Sequence, residues 1–167
     1  WYDLLEGHWE DRARKESLSL LAATAGETVL EIGYGTGHSL MDLARAVSGT
    51  GRVLGLDISG GMTQVAYKRL TRKNMLERVE LIVGDILENR LPDGSCDAIF
   101  MSFVLELFDT PEIPLLLADC LRLLNPDGRI CVVPPRPAGP PRVIRRPDEL
   151  GNAQLPHSRY FRPTLVA

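Results

Sequence analysis

A doubly wound α/β domain, built on a mainly parallel sheet with helices on both faces, is what this sequence predicts. Short β-branched or aliphatic runs alternate with stretches whose apolar residues recur at helical spacing, and turn residues stand between them. Strands that alternate with amphipathic helices make right-handed βαβ units, whose parallel strands must be covered on both sides.

The elements follow in order. A polar helix spans about Trp9 to Ala25, and the strand candidates are Thr28–Ile32, Arg52–Leu56, Val79–Val83, Asp97–Ser102 and Arg129–Val133. Between them Leu40, Leu43, Ala44 and Val47 share a helical face, as do Met62, Val65, Ala66 and Leu70, and then Ile113, Leu116, Leu117, Cys120 and Leu124. Pro92-Asp93-Gly94-Ser95 and Asn125-Pro126-Asp127-Gly128 are turns placed just before a strand. There is no internal repeat.

A chain of 167 residues is the size of one domain. Its 44% apolar and 25% charged residues exclude a disordered or membrane-spanning class, and no apolar run approaches the roughly 20 residues that cross a bilayer. No basic segment followed by an apolar signal core opens the sequence, so the expected location is cytoplasmic, with no integral membrane segment. Cys96, Cys120 and Cys131 are an odd, widely spaced set that suits neither disulfides nor a metal site, and they read as buried thiols.

Composition changes after Val133. Six of the twelve prolines fall within Pro134–Pro147, too dense for a helix or central strand. The division expected is a ligand-binding domain over residues 1–133 and a proline- and arginine-rich segment over 134–167, with short edge strands at Arg142–Arg145 and Pro163–Ala167. Six Arg against Asp148 and Glu149 give that segment +4, which leaves −7 on the rest of a chain whose net charge is −3. Such a segment either attracts an anionic partner or is simply solvated.

The chemistry gathers where Val29-Leu30-Glu31-Ile32-Gly33-Tyr34-Gly35-Thr36-Gly37 leaves the first strand and enters a helix. Glycines permit a tight turn and let a ligand approach bare backbone, and in a doubly wound sheet this is where strand order reverses and a crevice opens. Asp57 ends the second strand twenty residues after Gly37, the spacing at which an acid accepts from ribose hydroxyls. Ser59 is a cap for the next helix. Gly84-Asp85-Ile86 closes the third strand with another carboxylate, suited to an adenine amino group, while Ile58 and Ile86 would sandwich the ring. A dinucleotide fingerprint would have its third glycine at position 38, which is His.

Together, Glu31-x-Gly33-x-Gly35-x-Gly37, Gly55-x-Asp57-x-Ser59, Gly84-Asp85, Asp97-Ala98-Ile99 and Leu124-x-Pro126-x-Gly128 resemble the class I S-adenosylmethionine-dependent methyltransferases, which have a Rossmann-like fold. The likeness is greatest to the small-molecule group that includes ubiquinone/menaquinone-biosynthesis and phospholipid N-methyltransferases, and it covers Trp1 to about Val133. It implies S-adenosylmethionine as the cofactor. Gly33, Gly35 and Gly37 would pack on its methionine portion and Glu31 would serve its amino group. Asp57 would hold the ribose, Asp85 the adenine, Ser102 would line the pocket, and Tyr2 would close over the donor.

Two positions depart from the family. Tyr34 stands where a small Cys or Ser is common, so it either narrows the loop or offers its ring to the ligand. Family members also continue from the fifth strand into a further helix and an antiparallel hairpin, whereas here the C-terminal part is shortened, which would leave one sheet face poorly covered. A shortened form, a lost segment near Val133–Pro134 or a partner subunit, and hence a homodimer, are the alternatives.

The implied reaction is in-line displacement at a sulfonium methyl, in which positioning and exclusion of water matter more than a covalent nucleophile. A phenolic acceptor would gain from a general base, and His38, Glu106 and His157 are the candidates. The signature for methylating nucleobase amino groups is absent, since Met101-Ser102-Phe103-Val104 follows the fourth strand, so no nucleic acid is expected. Phe100, Met101, Phe103, Val104, Leu107 and Phe108 either line an apolar acceptor site, suited to a quinone precursor or lipid, or belong to the core. A nicotinamide-dependent oxidoreductase and a non-catalytic S-adenosylmethionine-binding protein are the competing readings.

Overall fold

The computed structural model describes residues 2–88, 91–134 and 141–145, with side chains from Glu10 onward. Helix α1 (Tyr2–Leu21) leads into β1 (Thr28–Ile32), α2 (His38–Ala46), β2 (Arg52–Asp57), α3 (Gly60–Arg72), β3 (Val79–Val83), β4 (Cys96–Ser102), α4 (Ile113–Leu123), β5 (Leu124–Val133) and β6 (Arg142–Arg145). A 3-10 turn, Leu105–Leu107, follows β4. One six-stranded sheet results, in the order β3-β2-β1-β4-β5-β6. Every neighbouring pair is parallel except β5 with β6, where Ile130 faces Ile144 and Cys131 faces Val143 in antiparallel register. The expected edge strand at Arg142–Arg145 is this last one, while that at Pro163–Ala167 lies outside the described residues.

Alternation of side chains across the strands divides the apolar residues into two layers. One face carries Val29, Val53, Val79, Ala98, Phe100 and Cys131 beneath α1, α2 and α3. The other carries Leu30, Leu54, Leu56, Ile99, Met101 and Ile130, and there only α4 brings a helix, through Leu116, Cys120 and Leu123. Among the described residues the two faces are thus unevenly covered, three helices on one against one on the other. All three cysteines are free and buried.

Two boundaries differ from expectation, each for a visible reason. Helix α1 begins at Tyr2 rather than near Trp9 and stops at Leu21, because Ala22 adopts a left-handed φ of 50°. Strand β5 extends back to Leu124, since both Cys96–Leu124 and Ala98–Arg129 pair. Asn125–Gly128 is therefore a bulge opposite Asp97 rather than a turn that precedes the strand. Asp97 fastens the bulge: its carboxylate accepts from Thr28 N–H (2.7 Å) and from the Asn125 side-chain amide.

Arg129 is the buried ionic joint of the fold. Its guanidinium donates to the Leu21 and Ala22 carbonyls (2.9 Å for Ala22), which are orphaned at the end of α1, and forks onto both oxygens of Glu27 at 3.0 and 2.8 Å. Burial works to raise the Glu27 carboxyl, but the Arg129 fork and the Thr24 N–H outweigh it and bring it below the ordinary value. Replacing Arg129 with Met leaves Glu27 and two carbonyls without their donor and is expected to cost about 3 kcal/mol in urea unfolding. Because the folded Glu27 carboxyl is depressed, its contribution is present at neutral pH and fades as pH falls through the folded value, so the difference between the two proteins shrinks in acid. The exposed Arg52–Glu80 pair is the control, with Arg52→Met expected to change stability by less than about 1 kcal/mol.

Candidate active site

Parallel register aligns the carboxyl ends of the central strands. Ile32 of β1 sits beside Leu56 of β2 and Met101 of β4, Asp57 beside Val83 of β3, and Ser102 beside Val133 of β5. Gly33, Asp57, Gly84, Asp85 and Ser102 consequently share one edge. Strand order reverses at β1, with β2 on one side and β4 on the other, so this edge is the switch point where a crevice forms in an open parallel sheet.

The loop from β1 to α2 is shaped by its glycines. Gly33 has φ +69° and a side chain there would run into Val104, just beyond β4, so the two loops that flank the crevice touch. Gly35 has φ +51° and opens on empty space, as does Gly84, while the Gly37 N–H closes a turn onto the Tyr34 carbonyl at 2.9 Å. Arg69 of α3 donates to the Thr36 carbonyl at 2.9 Å and so ties the loop to the neighbouring helix.

Asp57 is 8% exposed, and backbone holds both of its oxygens: Gly35 N–H donates to Oδ2 at 2.7 Å and Ser59 N–H to Oδ1 at 2.8 Å. A carboxylate has about four acceptor positions, so each oxygen retains capacity for a hydroxyl. Ser59 itself caps α3, its hydroxyl accepting from Met62 N–H at 3.2 Å. Asp85 accepts from Leu87 N–H at 2.9 Å, and the Gly84 N–H donates to the Asp57 carbonyl at 3.0 Å, which fixes the β3 loop against the end of β2.

Glu31, one residue inside β1, is 2% exposed and has no partner for Oε2. Burial pushes its carboxyl up to about 8, against the Ser39 hydroxyl and the charge of Arg14, which pull it down. Arg14 of α1 reaches across to Asp42 of α2 and also binds Asp11 of its own helix, each at 2.6 Å. Ser102 Oγ, at the end of β4, is likewise buried without a partner. Glu31 Oε2 and Ser102 Oγ are the two orphaned oxygens near this sheet edge, the other two among the described residues being on Asp119 and Asn125.

Other expected site residues stand differently. Tyr34 does not offer its ring to the crevice: it is 4% exposed, packed among Leu40, Ala66 and Gly55, because the missing side chain of Gly55 makes room for it. Its hydroxyl bonds Thr63 of α3 at 2.7 Å. Ile58 is 75% exposed and free to cover a ring, whereas Ile86 is buried in the core, so the two do not form an open sandwich. Phe100 and Met101 are core residues and not acceptor-site lining, for they are fully buried. His38 begins α2 on the exposed side of the loop, where burial and then the charges of Arg69 and Arg14 lower it and favour the neutral ring. Glu106 is exposed on the 3-10 turn, and its carboxyl is raised by partial burial and by Glu10 of α1. Leu107 beside it is exposed. The Tyr2 side chain and His157 lie outside the described residues.

Sequence reasoning missed two contributors, Thr63 and Arg14, and named Phe103 and Val104 as possible acceptor-site lining without foreseeing the corner they form. Phe103 has a left-handed φ of 57° and its N–H donates to the Val133 carbonyl at 3.1 Å, a strained conformation of the kind that clusters at functional loops. No residue-type signal marks a positive φ at phenylalanine. No group of carboxylate, His or Cys side chains able to hold a metal ion occurs among the described residues, and no described helix is long and apolar enough to cross a membrane.

Comparison with known proteins adds the relationships. A family model described as a methyltransferase domain matches residues 29–128. The chain is 39% identical over 130 residues to a demethylmenaquinone methyltransferase of Tropheryma whipplei, an alignment that takes in 77% of this chain and 48% of that protein. It thus spans about half the length of the curated relatives it matches. Among solved structures, a SAM-dependent methyltransferase from Aquifex aeolicus shares 27% identity with a TM-score of 0.64, covering 76% of this chain and 68% of that one. A SAM-dependent O-methyltransferase from Thermotoga maritima shares 26% identity at the same TM-score, over 75% of this chain and 44% of that one. With the sheet order, the glycine turn and the strand-end acids in place, the chain belongs to the class I S-adenosylmethionine-dependent methyltransferases.

Proposed function

We propose that the chain binds S-adenosylmethionine along the carboxyl edge of β1 to β4 and passes its methyl group to a small apolar acceptor of the quinone-precursor type. The observation that carries this reading is the placement of three acids, Glu31, Asp57 and Asp85, at the ends of adjacent strands beside an open glycine turn. These groups suit a ligand that brings an ammonium, a sulfonium, hydroxyls and an amino group. A dinucleotide would instead press two phosphates against carboxylates, with no third glycine at His38 to receive them.

Each residue then has a task. The orphaned Glu31 Oε2 receives the amino end of the ligand, Asp57 the ribose hydroxyls and Asp85 the adenine amino group, with Ile58 closing over the ring's outer face. The backbone of Gly33, Gly35 and Gly37 lies against the methionine chain, Gly84 leaves room for the adenine, and Ser102 Oγ supplies a further polar contact. S-adenosylmethionine supplies a methyl carried on a sulfonium, so that a nucleophile in line with it displaces a neutral thioether. The chain's remaining work is to orient the acceptor, exclude water and, for a phenolic acceptor titrating near about pH 10, remove a proton. Glu106, set among Leu105, Leu107 and Phe108, is the base proposed on the acceptor side, and neutral His38 is the second candidate. The name of the Tropheryma whipplei relative supports the quinone-type acceptor. A cytoplasmic location, a homodimer and the exclusion of nucleic-acid acceptors belong to the same proposal.

Three outcomes are expected. Calorimetric titration with S-adenosylmethionine gives saturable binding, which Asp57→Ala weakens at least roughly tenfold through loss of charge-assisted bonds while thermal melting stays cooperative; unaltered binding by that variant sinks the assignment. Since Glu31 holds its proton up to about 8 in the empty site and the cationic ligand favours the ionised form, binding releases a proton. Affinity therefore rises between pH 6 and pH 8 by at most roughly tenfold per unit and levels off above, and Glu31→Gln removes that slope. Finally, with labelled donor and an acceptor panel of quinols, phospholipids and small amines, label enters the quinols, and Glu106→Gln lowers kcat by about a hundredfold with little change in donor KM. Transfer to none of them favours a binding protein without catalysis.

A further inference from the structure

Tyr34 stands inside the glycine turn, yet its side chain leaves the crevice and runs to the opposite side of the loop. Its ring occupies the space that a Cβ on Gly55 would fill, 2.8 Å from Cδ1, so Tyr34 and Gly55 are fitted to one another. Its hydroxyl meets Thr63 Oγ1 at 2.7 Å, and Thr63 donates in turn to the Ser59 carbonyl at 3.0 Å. That donation uses the only proton of the threonine hydroxyl, so Tyr34 must be the donor to Thr63. Burial raises the phenol above its ordinary value, which keeps that proton in place.

The chain of bonds closes on Asp57. Ser59, whose carbonyl ends the Tyr34–Thr63 relay, gives its own N–H to Asp57 Oδ1, and Gly35, next to Tyr34, gives its N–H to Oδ2. Both donors that set the plane of the Asp57 carboxylate are therefore attached to residues that the Tyr34–Thr63 bond holds at a fixed separation. Building on the reading that Asp57 grips the ribose, we infer that Tyr34 is a positioning residue, which orients Asp57 for the ribose hydroxyls through Thr63 and Ser59 without touching the ligand. A small residue in its place would remove this link between the glycine turn and α3 and leave, among the described residues, the Arg69 bond to Thr36 and the packing of Gly37 on Ala66.

Tyr34→Phe keeps the ring in its slot and deletes only the hydroxyl. Calorimetry with S-adenosylhomocysteine is expected to show a Kd roughly fivefold weaker than wild type, the equivalent of one hydrogen bond. With the 2′,3′-dideoxy counterpart, which has no hydroxyls for Asp57 to orient toward, the variant and wild type bind alike. Thr63→Val reproduces the loss, Thr63→Ser restores binding, and Tyr34→Phe with Thr63→Val together is no worse than either alone. Equal losses for both nucleosides would mean general loosening of the loop, and no loss for either would mean an idle hydroxyl; both overturn the inference while leaving the donor site standing. Failure of the wild-type chain to bind S-adenosylhomocysteine at all removes the functional reading and this inference with it.

Discussion

Two backbone N–H groups from different loops converge on the carboxylate of Asp57, and the architecture of the site follows from that clamp. Gly35 belongs to the turn after β1 and Ser59 to the cap of α3, so one side chain ties two crossover connections together at the edge where strand order reverses. The clamp needs glycine at position 35, where φ is positive and no side chain intrudes, and it needs parallel register between β1 and β2 so that the two loops end at the same height. Once these conditions hold, Gly33 abuts Val104 and Gly84 bonds to the Asp57 carbonyl. Four loops are thereby brought to one crevice.

The opposite end of the sheet is organised by different means. Asp97 joins the start of β1 to the bulge in β5, and Arg129 seals the end of α1 against Glu27. Both lie at the far end of the strands from the crevice and hold in register a sheet whose second face, among the described residues, carries only α4 as a helix. Two of the five sequence motifs, those around Asp97 and Gly128, therefore belong to the frame. The other three meet at the carboxyl edge.

Patterns of side-chain type made most of the fold legible. Apolar runs located all five parallel strands, three of them short at one end, because the central strands β1, β2 and β4 are buried along most of their length and so read as near-continuous apolar stretches. The ends of α1 were not legible, since what stops it is a left-handed Ala22 and a guanidinium more than a hundred residues away. The strand-end acids and glycines could be read from spacing, as they sit on regular elements whose geometry the period fixes. Tyr34 and Ile86 could not: a residue type on a loop says nothing about which way its side chain turns, and here Gly55 and the apolar layer beneath β2 decided it. The Phe103 corner was silent for the same reason.

Protonation explains how three acids can crowd one edge of the sheet. Were Glu31 ionised in its buried position, it would face the Asp57 and Asp42 carboxylates with only Arg14 as a counterweight, and Arg14 is itself committed to Asp42 and Asp11. Retaining a proton avoids that repulsion and the desolvation of a buried anion, at the expense of an oxygen without a partner. A ligand with a positive end removes both penalties at once: it displaces the proton and completes the orphaned oxygen.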